Sequence, residues 1–137
     1  MNAGFVLDCS VAMSWCFEDE ANDLSENALD RLARESAFVP GLWPLEVANV
    51  LAISERKKRL TAEKTLRFVS LLRSLPITID PDTATRAFDA ILTLSRERGL
   101  TAYDATYLEL AIRYALPLAT QDASLRRAAK ATGVDLL

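Results

Sequence analysis

The chain contains no histidine, and this absence removes several classes of catalysis. Without an imidazole there is no Ser-His-Asp or Cys-His nucleophile, and the commonest general base is missing. Zinc chemistry is restricted as well, because the two cysteines, Cys9 and Cys16, cannot supply four ligands by themselves. Carboxylates remain plentiful, with 19 aspartate and glutamate residues in the chain.

Long apolar runs and targeting signals are also missing. No apolar run approaches the ~20 residues needed to cross a bilayer, and the start "MNAGFVLDCS" lacks the basic segment of a secretory signal. The net charge of −3 and the pI near 5.0 give no general basic surface, although such sums are compatible with a local basic patch. We therefore expect a cytoplasmic protein with reduced thiols and no membrane contact.

What the chain does have is a regular alternation of short apolar runs and helix-length amphipathic segments. Predicted strands cover residues 4–7, 37–40, 76–80 and 117–120, with a short last strand at 134–137. Predicted helices cover residues 10–17, 19–35, 44–58, 61–75, 84–99, 101–116 and 122–132. This alternation predicts an α/β fold, a three-layer α/β/α sandwich with a mainly parallel central sheet. The 137 residues, half of them apolar, are expected to form a single domain over 1–137.

Four acidic residues fall at one predicted edge of that sheet. Ligands of parallel α/β sheets bind outside the carboxyl ends of the strands, where the helices begin. Asp8 closes the first strand and Asp122 follows the fourth. Glu46 and Asp104 lie in the first turns of two predicted helices, which begin at the same edge. The spacing therefore predicts that four carboxylates converge.

Each of these acids also has a purely structural explanation. Asp8 and Asp122 can act as helix N-caps, and Asp104 has capping-box spacing from Thr101. Glu46 is harder to explain in this way. The segment "LEVANVLAI" has only Glu46 and Asn49 as polar residues and no basic one, so its helix is expected to be buried. A lone buried carboxylate costs several kcal/mol, and a metal ion would supply the missing charge.

A carboxylate cluster without lysine or arginine is stable at neutral pH only with bound cations or shared protons. Carboxylate oxygens suit Mg²⁺ and Mn²⁺, and these ions support phosphodiester hydrolysis. Ser10 and Thr120, each two residues from an acid, could orient a carboxylate or a metal-bound water, and Ser10 is explained as well by a capping hydroxyl. Asn49 shares a helix face with Glu46, which makes it a supporting candidate.

Four segments carry a family resemblance: "VLDCSVAMSW", "PLEVANVL", "LTAYDATYLELA" and "LATQDASLRRAAKATGV". In this order they resemble PIN-domain ribonucleases, particularly the VapC toxins of bacterial toxin–antitoxin pairs. The resemblance implies a PIN-like fold in which Asp8, Glu46, Asp104 and Asp122 bind Mg²⁺ or Mn²⁺ and cleave RNA. It also implies a homodimer and a VapB-type antitoxin whose C-terminal segment covers the active site. Ser124 stands where some relatives carry a further acid.

The leading hypothesis is therefore a metal-dependent endoribonuclease acting on tRNA, rRNA or mRNA. Arg126 and Arg127, one turn past Asp122, are candidate RNA contacts. Two alternatives remain open at this point. One is a phosphatase with Asp8 as nucleophile, a chemistry that usually needs a second Asp where this chain has Ser10. The other is a non-catalytic binding module whose acids cap helices.

Overall fold

The computed structural model describes residues 4–137 and contains a sheet of four parallel strands. The strands are β1 (Gly4–Leu7), β2 (Ser36–Val39), β3 (Ile77–Ile79) and β4 (Leu118–Ala119). Their lateral order is β3-β2-β1-β4, so β1 is flanked on both sides. All four residues of β1 are buried, as expected of a strand covered on both faces. The predicted parallel α/β fold is confirmed.

Helices cover the sheet and connect its strands. They are α1 (Cys9–Met13), α2 (Asp23–Arg31), α3 (Trp43–Arg56), α4 (Ala62–Ser74), α5 (Thr83–Arg86), α6 (Leu92–Arg98), α7 (Ala102–Tyr114) and α8 (Ala123–Ala131). A 3₁₀ turn covers Glu18–Glu20, and a π-helical turn, Ala87–Ile91, joins α5 to α6. The single helix predicted over 84–99 is thus three consecutive helical segments. None of the helices in the described residues is long and apolar enough to cross a membrane.

The last predicted strand, at 134–137, is wrong as a strand. A single parallel bridge joins Leu118 to Leu136. The Leu118 N–H donates to Asp135 O at 2.8 Å, and the Leu137 N–H donates to Leu118 O at 3.0 Å. Because β4 is only two residues long, the C-terminal segment pairs with it at one residue and does not form a longer ladder.

The longest uninterrupted buried stretch of the helices lies in α7. Every residue from 105 to 111 is buried, which explains why this helix is apolar nearly all round in sequence. Leu108, Leu110 and Ala111 belong to the main core together with β1 and β4. The helix therefore fixes the position of Asp104, in its first turn, relative to the sheet.

Glu109 and Arg113, one helical turn apart on α7, form a largely buried ion pair. The Glu109 side chain is 6% exposed and that of Arg113 is 15% exposed. Arg113 also donates to both carboxylate oxygens of Asp80, at 3.1 and 2.6 Å, and the Asp80 side chain is fully buried. Asp80 is thus half of a buried ion pair that connects the end of β3 to α7.

Helix α3 also differs from expectation. It was expected to be buried on nearly all sides, yet Leu45 is 70% exposed and Asn49 is exposed. Its buried face consists of Trp43, Val47 and Leu51. Glu46 lies at the boundary between the two faces, half-buried. The prediction that α3 is buried on nearly all sides is therefore wrong, and burial of the helix does not by itself require a charged partner for Glu46.

Replacing Arg113 by methionine should lower the free energy of unfolding by about 3 kcal/mol at neutral pH, because a buried Asp80 then loses its cation. Arg113 holds the pKa of Asp80 below its ordinary value. The ion pair is therefore present above the unfolded-state pKa of about 3.9 and is lost as the pH falls through the lower folded-state pKa. Urea unfolding should show the largest gap between the two proteins at neutral pH and a smaller one below about pH 4.

Arg67→Met is the matched control, since Arg67 pairs with Glu63 at the surface, where both side chains are more than 70% exposed. That variant should lose less than about 1 kcal/mol. Equal losses from the two substitutions would contradict the importance of the buried pair.

Candidate active site

Asp8 follows β1 directly and faces the end of β4. Its backbone N–H donates to Ala119 O at 3.0 Å, which continues the pairing of the two strands. Asp8 occupies the N-cap position of α1, but its side chain makes no capping hydrogen bond. The buried carboxylate instead accepts two hydroxyl protons on its Oδ2 atom, from Thr120 at 2.7 Å and from Ser10 at 2.8 Å.

Both hydroxyls are themselves fixed by the turn between β4 and α8. Thr120 Oγ1 accepts from the Asp122 N–H at 3.1 Å, and Ser10 Oγ accepts from the Gln121 N–H at 3.4 Å. Because both hydroxyls donate to the same oxygen, they orient the Asp8 carboxylate and leave Oδ1 unengaged by either. The structure thus brings Ser10 and Thr120 together as orienting groups.

Asp122 has a structural role in addition to its position in the site. Its Oδ2 atom accepts from the Leu125 N–H at 2.8 Å, which makes it the N-cap of α8. The predicted capping function is present, and the carboxylate still lies close enough to Asp8 and Asp104 to raise the pKa of each.

Glu46 reaches the site from the first turn of α3, where it meets Tyr107 of α7. The Tyr107 hydroxyl donates to Glu46 Oε1, and the Tyr107 ring is fully buried. This contact was missed in the sequence. A signal was present, because Tyr107 follows Asp104 by three residues and therefore lies on the same side of α7.

Asp104 lies in the first turn of α7, and Thr101 caps that helix by accepting from the Asp104 N–H at 3.1 Å. We call four acids the acidic edge: Asp8 and Asp122, which follow β1 and β4, and Glu46 and Asp104, in the first turns of α3 and α7.

Burial and mutual repulsion dominate the electrostatics of the acidic edge. Burial raises the pKa of Asp8, and the charge of Asp122 adds to this against the two hydroxyl hydrogen bonds. Burial likewise raises the pKa of Glu46, with contributions from Asp8 and Asp104 and opposition from the Tyr107 hydroxyl. For Asp104, burial is again the first cause of a raised pKa, followed by Asp122 and Asp8. None of these three carboxylates has a lysine or arginine among the charges that shift its pKa.

Cys9, next to Asp8, is a free cysteine buried in the core. Burial and the charges of Glu46 and Asp8 raise its pKa to about 12, so the thiol stays protonated at neutral pH.

The donor set fits a hard divalent cation. Carboxylate and hydroxyl oxygens are the groups that Mg²⁺ and Mn²⁺ prefer, and the cluster lacks any positive charge of its own. Within residues 4–137, however, no three acidic or sulfur side chains stand as a preformed metal-binding group. The acids therefore share one edge and influence each other's charge without being gathered around one point.

The remaining candidate residues differ in their exposure and in the hydrogen bonds that their side chains make. Asn49 is exposed on α3, one turn beyond Glu46. Arg126 is partly buried, and its guanidinium donates to Thr120 O at 2.8 Å, which fixes the end of β4. Arg127 is exposed, and its only hydrogen bond within the described chain goes to Ser124 Oγ at 3.2 Å.

Comparisons with known proteins identify the family and agree with the fold. The PIN domain profile matches residues 5–131. No curated protein sequence matches the chain. Among solved structures, PAE2754 from Pyrobaculum aerophilum is 25% identical, with a TM-score of 0.70, over 93% of this chain and 87% of that one.

Two further structures are similar in fold. VapBC2 from Rickettsia felis, solved with a DNA fragment from their promoter, is 15% identical, with a TM-score of 0.68, over 98% of this chain and 97% of that one. VapC20 from Mycobacterium tuberculosis, described as a sarcin-ricin loop cleaving toxin, is 14% identical, with a TM-score of 0.61, over 90% of this chain and 94% of that one. The resemblance predicted from the four sequence segments is thereby confirmed: the chain belongs to the PIN domain family.

Proposed function

We propose that this protein is a divalent-metal-dependent endoribonuclease and the toxin of a toxin–antitoxin pair. The observation that carries the proposal is the acidic edge itself, where burial and neighbouring acids raise the pKa values of Asp8, Glu46 and Asp104 with no basic residue to offset them. Such a group is stabilised by a cation, and a PIN domain supplies the matching fold.

The four acids of the acidic edge would hold Mg²⁺ or Mn²⁺, with Asp8 and Asp104 as the main ligands. When bound, the ion activates water and stabilises the leaving oxygen of a phosphodiester. Thr120 and Ser10 orient the Asp8 carboxylate, and Tyr107 orients Glu46. Groups that orient metal ligands typically change metal affinity or activity by about 10- to 100-fold when removed.

The partners we propose follow from the relatives. The Rickettsia felis structure is a VapBC assembly, which supports a VapB-type antitoxin as partner. The Mycobacterium tuberculosis toxin is described as cleaving the sarcin-ricin loop, which supports RNA as the substrate class, whether rRNA, tRNA or mRNA. We further propose a homodimer that acts in the cytoplasm.

The two alternative functions have less support. A phosphatase with Asp8 as nucleophile needs an acid two residues later, and Ser10 donates its hydroxyl proton to Asp8 instead. A binding module whose acids only cap helices does not account for Asp8, whose side chain caps nothing.

Asp104→Asn should leave a folded protein but reduce RNA cleavage in Mg²⁺ or Mn²⁺ by at least about 100-fold, because removing a ligand costs more than removing a group that orients one. Cleavage of defined tRNA and rRNA pools measures this. Asp30→Asn, at an exposed acid of α2, is the matched control and should cleave like the wild type. Unchanged cleavage by purified Asp104→Asn protein would sink the assignment.

Divalent metal should stabilise the protein, and more at about pH 7.5 than at about pH 5. Asp8, Glu46 and Asp104 have raised pKa values. An acid with a raised folded-state pKa lowers the free energy of unfolding as the pH rises above its unfolded-state pKa near 4. Without metal, these three acids therefore make the protein less stable at neutral pH than at about pH 5. Mn²⁺ at a concentration one hundred times its Kd should raise the free energy of unfolding by about 2.7 kcal/mol.

Thermal melts with Mn²⁺ or with a chelator measure this effect, and Asp104→Asn should respond less. A melting curve insensitive to chelator, together with no heat of Mn²⁺ binding in calorimetry, would favour the non-catalytic binding module.

Tyr107→Phe should weaken the apparent affinity for Mn²⁺ by about 10- to 100-fold, because Glu46 loses the hydroxyl that orients it. Cleavage should recover in part at high Mn²⁺, a response that a general loss of stability does not give. Tyr114→Phe is the matched control, since its hydroxyl bonds Asp80 at 3.0 Å, in the buried ion pair with Arg113. A wild-type Mn²⁺ dependence in Tyr107→Phe would show that Glu46 does not need this hydroxyl.

A further inference from the structure

A small cleft lies between the end of α6 and one side of α8. Its volume is about 280 Å³, and its polar lining comes from Glu97, Arg98, Ser124 and Arg127, with Gly99, Ala128 and Ala131 completing it. Gly99 has a positive φ of 64° and ends α6, so the chain turns there toward α7 without a side chain in the cleft. We call this feature the arginine cleft.

The two arginines of the cleft are exposed and carry uncompensated charge. Neither Arg98 nor Arg127 forms an ion pair with any residue in the described range 4–137. Arg59, by contrast, is held by Asp19 and Glu20. Within the cleft, Arg127 bonds only the neutral hydroxyl of Ser124, and Glu97 is the single acid of the lining. The lining therefore has a net positive charge.

The arginine cleft adjoins the acidic edge through the two segments that form it. On one side, Gly99 is followed within five residues by Asp104, after the Thr101 cap of α7. On the other side, Ser124 comes two residues after Asp122, the cap of α8. Asp104 and Asp122 are close enough for the charge of the second to raise the pKa of the first. Both sides of the arginine cleft are therefore within a few residues of an acid of the acidic edge, Asp104 beyond the end of α6 and Asp122 at the start of α8.

A polyanionic substrate needs such a neighbouring group. The four carboxylates repel a phosphodiester chain, and a divalent ion at the acidic edge offsets this repulsion only locally. Arginine guanidinium groups bind phosphate oxygens with charge-assisted hydrogen bonds and can do so in bidentate geometry. A hydroxyl such as that of Ser124 is a common additional phosphate contact.

We propose that the arginine cleft is a phosphate subsite, in which Arg98, Arg127 and the Ser124 hydroxyl bind a backbone phosphate of the RNA strand flanking the cleaved bond. The inference rests on the proposed ribonuclease function and adds where one flank of the substrate is held. The subsite reads the backbone and not the bases, so it contributes affinity and register for RNA of any sequence.

The salt dependence of RNA binding tests the subsite. The probe is a short single-stranded oligoribonucleotide with a terminal fluorescent label. All proteins in the titration carry Asp104→Asn, which suppresses cleavage while Mn²⁺ is kept in the buffer. Each phosphate contact in a single-stranded complex contributes about 0.7 to the slope of log K against log salt concentration. Arg98→Gln and Arg127→Gln should each make this slope shallower by about 0.7. The gain in RNA affinity between 1 M and 0.1 M salt should then be about fivefold smaller than that of the unsubstituted cleft.

Arg96→Gln is the matched control. Arg96 is an exposed arginine two residues before Arg98 on the same helix, it does not line the cleft, and it forms no ion pair with residues 4–137. Its variant should keep the wild-type slope. All variants should melt like the wild type, because the substituted side chains are exposed.

The possible failures can be told apart. If the wild type binds and cleaves RNA but Arg98→Gln and Arg127→Gln keep its slope, the arginine cleft is overturned and the ribonuclease proposal stands. If the wild type neither binds nor cleaves RNA, both proposals are overturned. Unchanged RNA binding together with weakened binding of an acidic peptide would assign the cleft to a protein partner and would also overturn the phosphate subsite.

Discussion

The parallel pairing of β1 with β4 determines the geometry of the whole acidic edge. Only two residue pairs form this ladder, Val6 with Leu118 and Leu7 with Ala119. The next residues, Asp8 and Thr120, then emerge side by side, and the Thr120 hydroxyl meets the Asp8 carboxylate at 2.7 Å. A shift of register by one residue would turn Thr120 to the opposite face of the sheet and break this contact. Chemistry at this edge thus depends on a very short strand.

Charge is distributed unevenly around that edge. Arg113 and Arg59, which lie elsewhere in the fold, are bound to carboxylates. At the acidic edge the neighbours are neutral hydroxyls, from Ser10, Thr120 and Tyr107. Hydroxyls can orient a carboxylate without neutralising it, so the negative charge of the acidic edge is not offset by any of these three neighbours.

The sequence was sufficient for the parallel sheet, because the fold follows from the order of strands and helices. The four acids were predicted to converge, but within residues 4–137 no three of them form a preformed metal-binding group. Tyr107 was not predicted as a partner of Glu46, since that contact joins residues 61 positions apart on two helices whose angle the sequence does not give. The buried side of each helix was harder still to predict. The sequence marks α3 as apolar but not which side meets the sheet, so the exposure of Leu45 and Asn49 came only from the fold. The sequence likewise does not reveal the ion pair of Asp80, because its partner Arg113 lies 33 positions away.

The buried pair of Asp80 and Arg113 has a consequence for how the molecule opens. Strand β3 is at the edge of the sheet and only three residues long, the kind of element that usually frays first. Fraying here would remove a carboxylate from both Arg113 and Tyr114 of α7, the helix with the longest buried stretch. We therefore expect local opening of β3 to be coupled to disturbance of the core, so that the amides of this edge strand exchange together with those of α7.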